Sequence, residues 1–297
     1  MKQMRFKHFI GFSVCALMLV LCLPKVLAQS ESSILFVAPS RVVVPPKENI
    51  AVVNVSNRSS EARRYDITVV DQVMTEEGMT RRVETFDYSA KRFLRFQPKR
   101  FTLEPGQRQV IRIMAKRPQD IAAGDYHSHI LFREVPLSLV DKKQVEKQAT
   151  DGKTQFEIKT LYGVAIPVII QNGEVISDLN LGELSYVPAA DGSPAHIAVE
   201  LQRSGNAEAS AILRVKFHRE GAEPVALNGE QWVAVYREVD KVTRRIPLTA
   251  LSEGQSLKGG KVVVELVKGA VTPQNVGKPE TVAGAENISV VTKEISF

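Results

Sequence analysis

The chain has 297 residues, of which 44% are hydrophobic and 24% charged, with two cysteines and a formal net charge of +6. That is long for a single all-β domain and comfortable for two domains of about 100–150 residues each. The composition is ordinary for a globular chain, and each half can bury a core of its own.

The first 28 residues read as an export signal. Lys2, Arg5 and Lys7 make a basic start, an apolar run from Phe9 to Leu23 comes next, and Val26-Leu27-Ala28 closes the segment. This is the three-part pattern of a secretory leader. The apolar run is 15 residues long, short of the roughly 20 that span a bilayer. Cleavage is expected after Ala28, which exports the mature protein. It removes Cys15, Cys22, Lys2, Arg5, Lys7 and Lys25 but no acid, leaving 269 residues, no cysteine and a net charge of +2. The basic balance is therefore an export feature. It implies no nucleic-acid partner, and the mature chain uses no disulfides.

Strand signals dominate the rest of the chain. "RVVV", "NIAVVNVS", "RRYDITVVD", "RQVIRIMA" and "YHSHILFREV" come first, then "IAVELQ", "AILRVKFH", "QWVAVYREV" and "KVVVEL". All are short, rich in β-branched residues and often alternating, and turn-forming stretches such as "PPKEN", "NRSSE", "EPGQ" and "SGNAE" separate them. Strands at this spacing predict sandwiches, and no stretch has the periodicity of a long amphipathic helix. The halves resemble each other. Leu103, Gly106 and Val110 in "LEPGQRQV" share their spacing with Leu257, Gly260 and Val264 in "LKGGKVVV". The spacing suits a strand-closing leucine, a turn glycine and a valine returning to the core. We expect an all-β chain of two sandwiches in tandem, 29–172 and 173–297, with Asn172-Gly173 as the turn between them.

Catalytic and metal signatures are missing. There is no H-E-x-x-H, G-x-S-x-G or P-loop, so neither catalytic nor metal-binding residues are assigned and no cofactor is expected. His127 and His129 are i, i+2 neighbours and point the same way on a strand, which most often makes a half-exposed polar face. Asn57-Arg58-Ser59 fits a glycosylation sequon. Arg41 stands among apolar neighbours in "FVAPSRVVVPP". It reads either as a charge guarding an exposed edge or as a binding residue. As a surface charge, its truncation would change stability by no more than about 0.5 kcal/mol.

Residues 153–170, "KTQFEIKTLYGVAIPVII", begin as an alternating strand and end as an apolar run. A charged segment precedes them, with Val145 the only large aliphatic residue between Asp141 and Gln155.

The stretch from Arg41 to Asn57 resembles the start of PapD-type periplasmic pilus chaperones. "RFTLEPGQRQVIRI" resembles that family's Leu-x-Pro-Gly hairpin, and "YHSHILFREVP" its strand ending Arg-Glu-x-Pro, at Arg133, Glu134 and Pro136. "IKTLY" resembles its Ile-Lys-x-aromatic-Tyr motif. The likeness covers the first domain well and the second only in pattern. It implies two immunoglobulin-like domains and a non-enzymatic chaperone for pilus subunits that lack a strand. The chaperone lends a strand, here Phe156, Ile158 and Thr160, with Leu137 and Leu139 as further rungs. It holds the subunit's terminal carboxylate between two basic residues, here Arg41 and Lys159, and delivers the subunit to an outer-membrane usher. In the family the motif continues at once into Arg-Pro, whereas here Gly163 to Ile166 intervene, and alignment on Pro167 puts Tyr162 in the lysine's place. Residues 138–155, with little to bury, are expected to be disordered without a client. The alternative is a two-sandwich adhesion module with no client, which accounts for the leader and the strands but not for Arg41 together with Lys159.

Overall fold

The computed structural model describes residues 34–136, 161–190, 192–248, 257–269 and 289–297. The expected leader lies outside them, as do residues 138–155. Every regular element among the described residues is a strand.

The first ten strands are β1 (Leu35–Ala38), β2 (Val42–Val44), β3 (Ile50–Asn57), β4 (Arg63–Met74), β5 (Thr80–Val83), β6 (Leu94–Gln97), β7 (Arg100–Leu103), β8 (Arg108–Ala115), β9 (Gly124–Val135) and β10 (Gly163–Asn172). They form two facing sheets. One runs β1-β3-β8-β6, and the other runs β2-β10-β9-β4-β5 with β7 also on β4. Strand alternation explains the core between them. Val53 and Val55 on β3 and Ile111 and Ile113 on β8 point inward, while Val52, Asn54 and Arg112 point out. Each inward side chain contributes about 1.5–3 kcal/mol by leaving water.

The chain changes sheets between β1 and β2. β1 lies antiparallel to β3, whereas β2 lies parallel to β10 in the other sheet, with Val42 opposite Val168. Arg41 sits at this crossing. The "LEPGQ" turn also crosses between sheets, because β7 pairs with β4 and β8 with β3. It is therefore not the hairpin that its sequence suggests. Asn57, the sequon residue, is buried there and donates to the Leu103 carbonyl at 2.9 Å, so its amide is closed to glycosylation in the folded chain.

The remaining strands are β11 (Ser177–Val187), β12 (His196–Gly205), β13 (Ala209–Arg219), β14 (Val225–Ala226), β15 (Gln231–Val235), β16 (Lys241–Pro247), β17 (Gly260–Lys268) and β18 (Ser289–Ser296). One sheet runs β11-β12-β16, and the other runs β14-β13-β17-β18 with β15 on β13. The protein is thus all-β and built of two immunoglobulin-like sandwiches in tandem. The repeat between the halves is looser than its spacing implies. Gly259, not Gly260, takes the left-handed turn conformation, and Val264 is buried whereas Val110 is exposed.

One hairpin of the first sandwich belongs to both cores. β4 runs on past β9 and turns back as β5, and Met74 at its end packs in the second core with Leu179, Val199 and Val242. Beyond it the Glu76 carbonyl accepts the Thr243 N–H at 2.8 Å. Gly78 has φ 74°, and a Cβ there would lie 2.8 Å from both Arg244 Nη1 and Val242 Cγ1, so the turn needs glycine both for its backbone and for the close approach. Met74→Ala is expected to cost about 2–5 kcal/mol. The fluorescence of Trp232, in the second sandwich, should show unfolding at lower urea even though the substitution lies in the first.

Candidate functional site: a charged joint between the sandwiches

β9 breaks the alternation seen elsewhere, since Gly124 through Ile130 are all buried. Tyr126 and Ile130 face the first core. Asp125, His127 and His129 face the other way, and the second sandwich covers them. The joint is close at its start. Gly124 has φ 125°, and a Cβ there would collide with the Asn206 carbonyl oxygen, so only glycine fits.

Three short segments supply the facing groups. The turn between β12 and β13 brings Glu208, whose N–H donates to Asp125 Oδ2 at 2.6 Å. β15 brings Trp232, and the residues just after it bring Tyr236, Arg237 and Glu238. Arg237 Nη1 donates to the Asp125 carbonyl at 2.9 Å, and its guanidinium lies 4.1 Å from the centre of the Tyr88 ring. His127 Nε2 lies 3.0 Å from Glu238 Oε2, and Glu238 Oε1 accepts the Met74 N–H at 2.8 Å. His127 also lies 4.5 Å from the Tyr236 ring, centre to centre.

Arg41 enters this joint from the sheet crossing. It forms an ion pair with Glu208, and the two side chains are only 10% and 9% exposed. Its guanidinium carbon is 5.0 Å from the Trp232 ring centre and 6.0 Å from that of Tyr236. Burial pulls the Arg41 pKa down, but the Glu208 carboxylate more than offsets this and holds it above the ordinary arginine value. Burial pushes the Glu208 carboxyl up, against the pull of Arg41. Burial likewise raises Asp125. It would also raise Glu238, but the His127 ring and the Met74 N–H keep that carboxyl below its usual range. His129 is lowered to about 4, by burial first and then by His127 and Arg41.

Two sequence expectations change here. Arg41 is neither a charge on an exposed edge nor replaceable at small cost, because removing it strands a buried carboxylate. His127 and His129 share a face as expected, but that face is buried in the joint and not half-exposed. Among the described residues no group of three His, Cys, Asp or Glu side chains is placed to hold a metal. Lys159, Phe156, Ile158, Thr160, Leu137 and Leu139 lie outside the described residues. Glu208, Glu238, Trp232 and Tyr236 carried no sequence signal of their own: "SGNAE", which ends at Glu208, reads as a turn, and "QWVAVYREV" reads as one strand whereas β15 ends at Val235.

β10 is the other half of the site. It pairs with β9 along its whole length, from Gly163 opposite Arg133 to Asn172 opposite Gly124. Its other side pairs with β2 only at Val168, Ile169 and Ile170. From Gly163 to Pro167 no strand among the described residues covers that edge. Leu161 and Tyr162, just before it, are exposed. The open edge therefore runs up to the start of β2, next to Arg41.

No protein-family model matches the chain, and no curated protein does. Solved structures do. A complex of the chaperone CsuC with the tip adhesion subunit CsuE, from archaic chaperone-usher Csu pili of Acinetobacter baumannii, is 9% identical, with 87% of this chain and 97% of that chain covered and a TM-score of 0.46. The Salmonella enterica SafA pilin with its SafB chaperone gives 12% identity, 87% and 96% coverage and a TM-score of 0.40. The Pseudomonas aeruginosa chaperone CupB2 gives 12%, 88% and 100%, and 0.38. At such identities and TM-scores these likenesses carry no argument of their own.

Two measurements test the joint. Arg41→Ala should lower stability by about 3–5 kcal/mol, the cost of a buried charge left without its partner. The double variant Arg41→Met/Glu208→Gln should recover most of that loss in urea denaturation. The His129 pKa is lower folded than unfolded, so the unfolded chain binds the extra proton between about pH 6.5 and 4. The stability attributable to neutral His129 is complete above about pH 6.5 and lost as pH falls toward 4. The difference between wild type and His129→Asn, measured in urea across that range, should shrink by about 3 kcal/mol at the acid end.

Proposed function

We propose that the protein is a periplasmic chaperone of the PapD type, which binds pilus subunits on the open edge of β10 beside Arg41 and passes them on to an outer-membrane usher. The observation that carries this is the edge from Gly163 to Pro167, which no strand among the described residues covers and which ends at a buried arginine. A bare strand edge is a template for pairing, and proteins usually blunt it with charge, proline or a covering element. Here only Pro167, at its inner end, does so. An extended segment laid on this edge gains main-chain hydrogen bonds along its length and side-chain contacts at alternate positions. If it ends in a free carboxylate, the guanidinium of Arg41 meets that group with its planar fork of donors. A subunit short of one strand needs both contacts, because its core and its backbone are otherwise open to water.

In this reading Lys159 is the second anchor, Phe156, Ile158 and Thr160 extend the lent strand before β10, and Leu137 and Leu139 add further rungs. The division into domains 29–172 and 173–297, the leader over residues 1–28, and the absence of catalysis and of small-molecule cofactors belong to the same reading. The second reading, an adhesion module without a client, is favoured by one observation: Arg41 already has an ion-pair partner in the second sandwich, as a purely structural bridge would.

Co-expression with a pilus subunit encoded beside this chain distinguishes them. The chaperone reading expects the subunit to become soluble and to co-purify in equal proportion, and expects that effect to vanish when the subunit's last residues are deleted. A subunit that stays insoluble, with the chain itself folded and exported, favours the adhesion module.

A further inference from the structure

Arg41 is occupied by a group of the same chemistry as the one it is proposed to bind. The Glu208 side-chain carboxylate and a chain-terminal carboxylate present identical acceptor atoms to a guanidinium. The geometry of the joint leaves little choice of approach. Trp232 and Tyr236 lie near the guanidinium at 5.0 and 6.0 Å. An arginine presents its N–H donors only in its own plane, and Glu208 sits against Nη2 as an ion pair, its Oε2 without an aligned hydrogen bond. Glu208 is not part of the β10 edge. It comes from the turn between β12 and β13, where its own N–H is held by Asp125, so its side chain can swing away while its backbone stays docked.

We propose that Glu208 is an internal occupant of the carboxylate site on Arg41, and that an incoming terminal carboxylate binds by displacing it. This rests on reading Arg41 as the carboxylate anchor. The exchange replaces one anion by another, so the buried guanidinium keeps a countercharge throughout. Without a client, Glu208 keeps the arginine neutralised and the joint closed. With one, the gain from the new pair is offset by the loss of the old, so Glu208 sets how tightly a carboxylate is held. It acts as a gate on the anchor, and its removal should raise affinity where removal of Arg41 abolishes it.

The test uses the full mature chain and no pilus subunit. The probe is a short peptide of alternating valine and threonine, prepared with a free C-terminal carboxylate and again as the C-terminal amide. Trp232 is the only tryptophan and lies beside Arg41, so its fluorescence reports occupancy, and calorimetry gives the affinity. Glu208→Gln should bind the free acid about tenfold more tightly than wild type, a shift of one decade in Kd, and should prefer it to the amide. Arg41→Met/Glu208→Gln should lose that preference. Far-UV dichroism and urea unfolding set conditions in which each variant is folded. Glu208→Asp, which keeps the charge on a shorter side chain, serves if Glu208→Gln does not fold, and should lie between it and wild type. The proposal is overturned if a folded Glu208→Gln binds acid and amide alike, or if wild type binds the acid as tightly as the variant does. A wild-type chain that solubilises no subunit would sink the chaperone reading while leaving this measurement to stand or fall separately.

Discussion

A charge withdrawn from water between two packed sandwiches needs a countercharge at contact distance, and the joint is arranged around that need. Arg41 comes from the first sandwich and Glu208 from the second. Neither can be buried without the other, so the pair exists only when the sandwiches are docked. Around it, His127 meets Glu238 and Arg237 meets the Asp125 carbonyl. Polar groups on one side are answered only in part by polar groups on the other: among the described residues, Asp125 Oδ1, His127 Nδ1 and His129 Nδ1 are buried without a hydrogen-bond partner, which buried polar groups seldom are. A joint of this kind is specific more than strong. Its charged pairs recover much of their desolvation cost but add little beyond it, while Met74, seated in the second core, supplies apolar burial.

On the proposed reading, the joint also determines what the open edge of β10 can do. A sheet edge alone binds any extended chain, with no fixed register. On that reading, an edge that ends at an arginine favours a segment that terminates there, because a terminus brings a main-chain carboxylate to the end of the ladder. Parallel pairing of β2 with Val168, Ile169 and Ile170 closes the edge there and defines where the open part stops. The sheet crossing at Arg41 is thus what joins a general pairing surface to a specific chemical group.

Much of the fold was legible in the sequence. Alternation and β-branching mark β3, β8, β12, β13 and β17, because strands with one buried face must repeat every second residue. The strands that escaped notice are peripheral or polar. β16, "KVTRRIP", has only Val242 and Ile246 buried, and β5, "TRRV", has no buried residue at all. Pairing with a neighbour, not the pattern of their own side chains, makes these segments strands. The "LEPGQ" turn has the residues of a hairpin yet crosses between sheets, since turn chemistry specifies a reversal of the chain and not which sheet receives the next strand.

What the sequence determined by itself was the all-β class, the pair of sandwiches and the oddity of an arginine among apolar residues, for each of these is written in the local order of side chains. What only the tertiary structure decided was the company that arginine keeps. Glu208 is 167 residues from Arg41 along the chain and Glu238 is 111 from His127, and no periodicity connects them. Burial of His127 and His129 was equally invisible, because a polar face on a strand looks the same whether water or a second sandwich lies against it. Docking of one sandwich on the other settles that, and with it the charge, the exposure and the chemistry of the site.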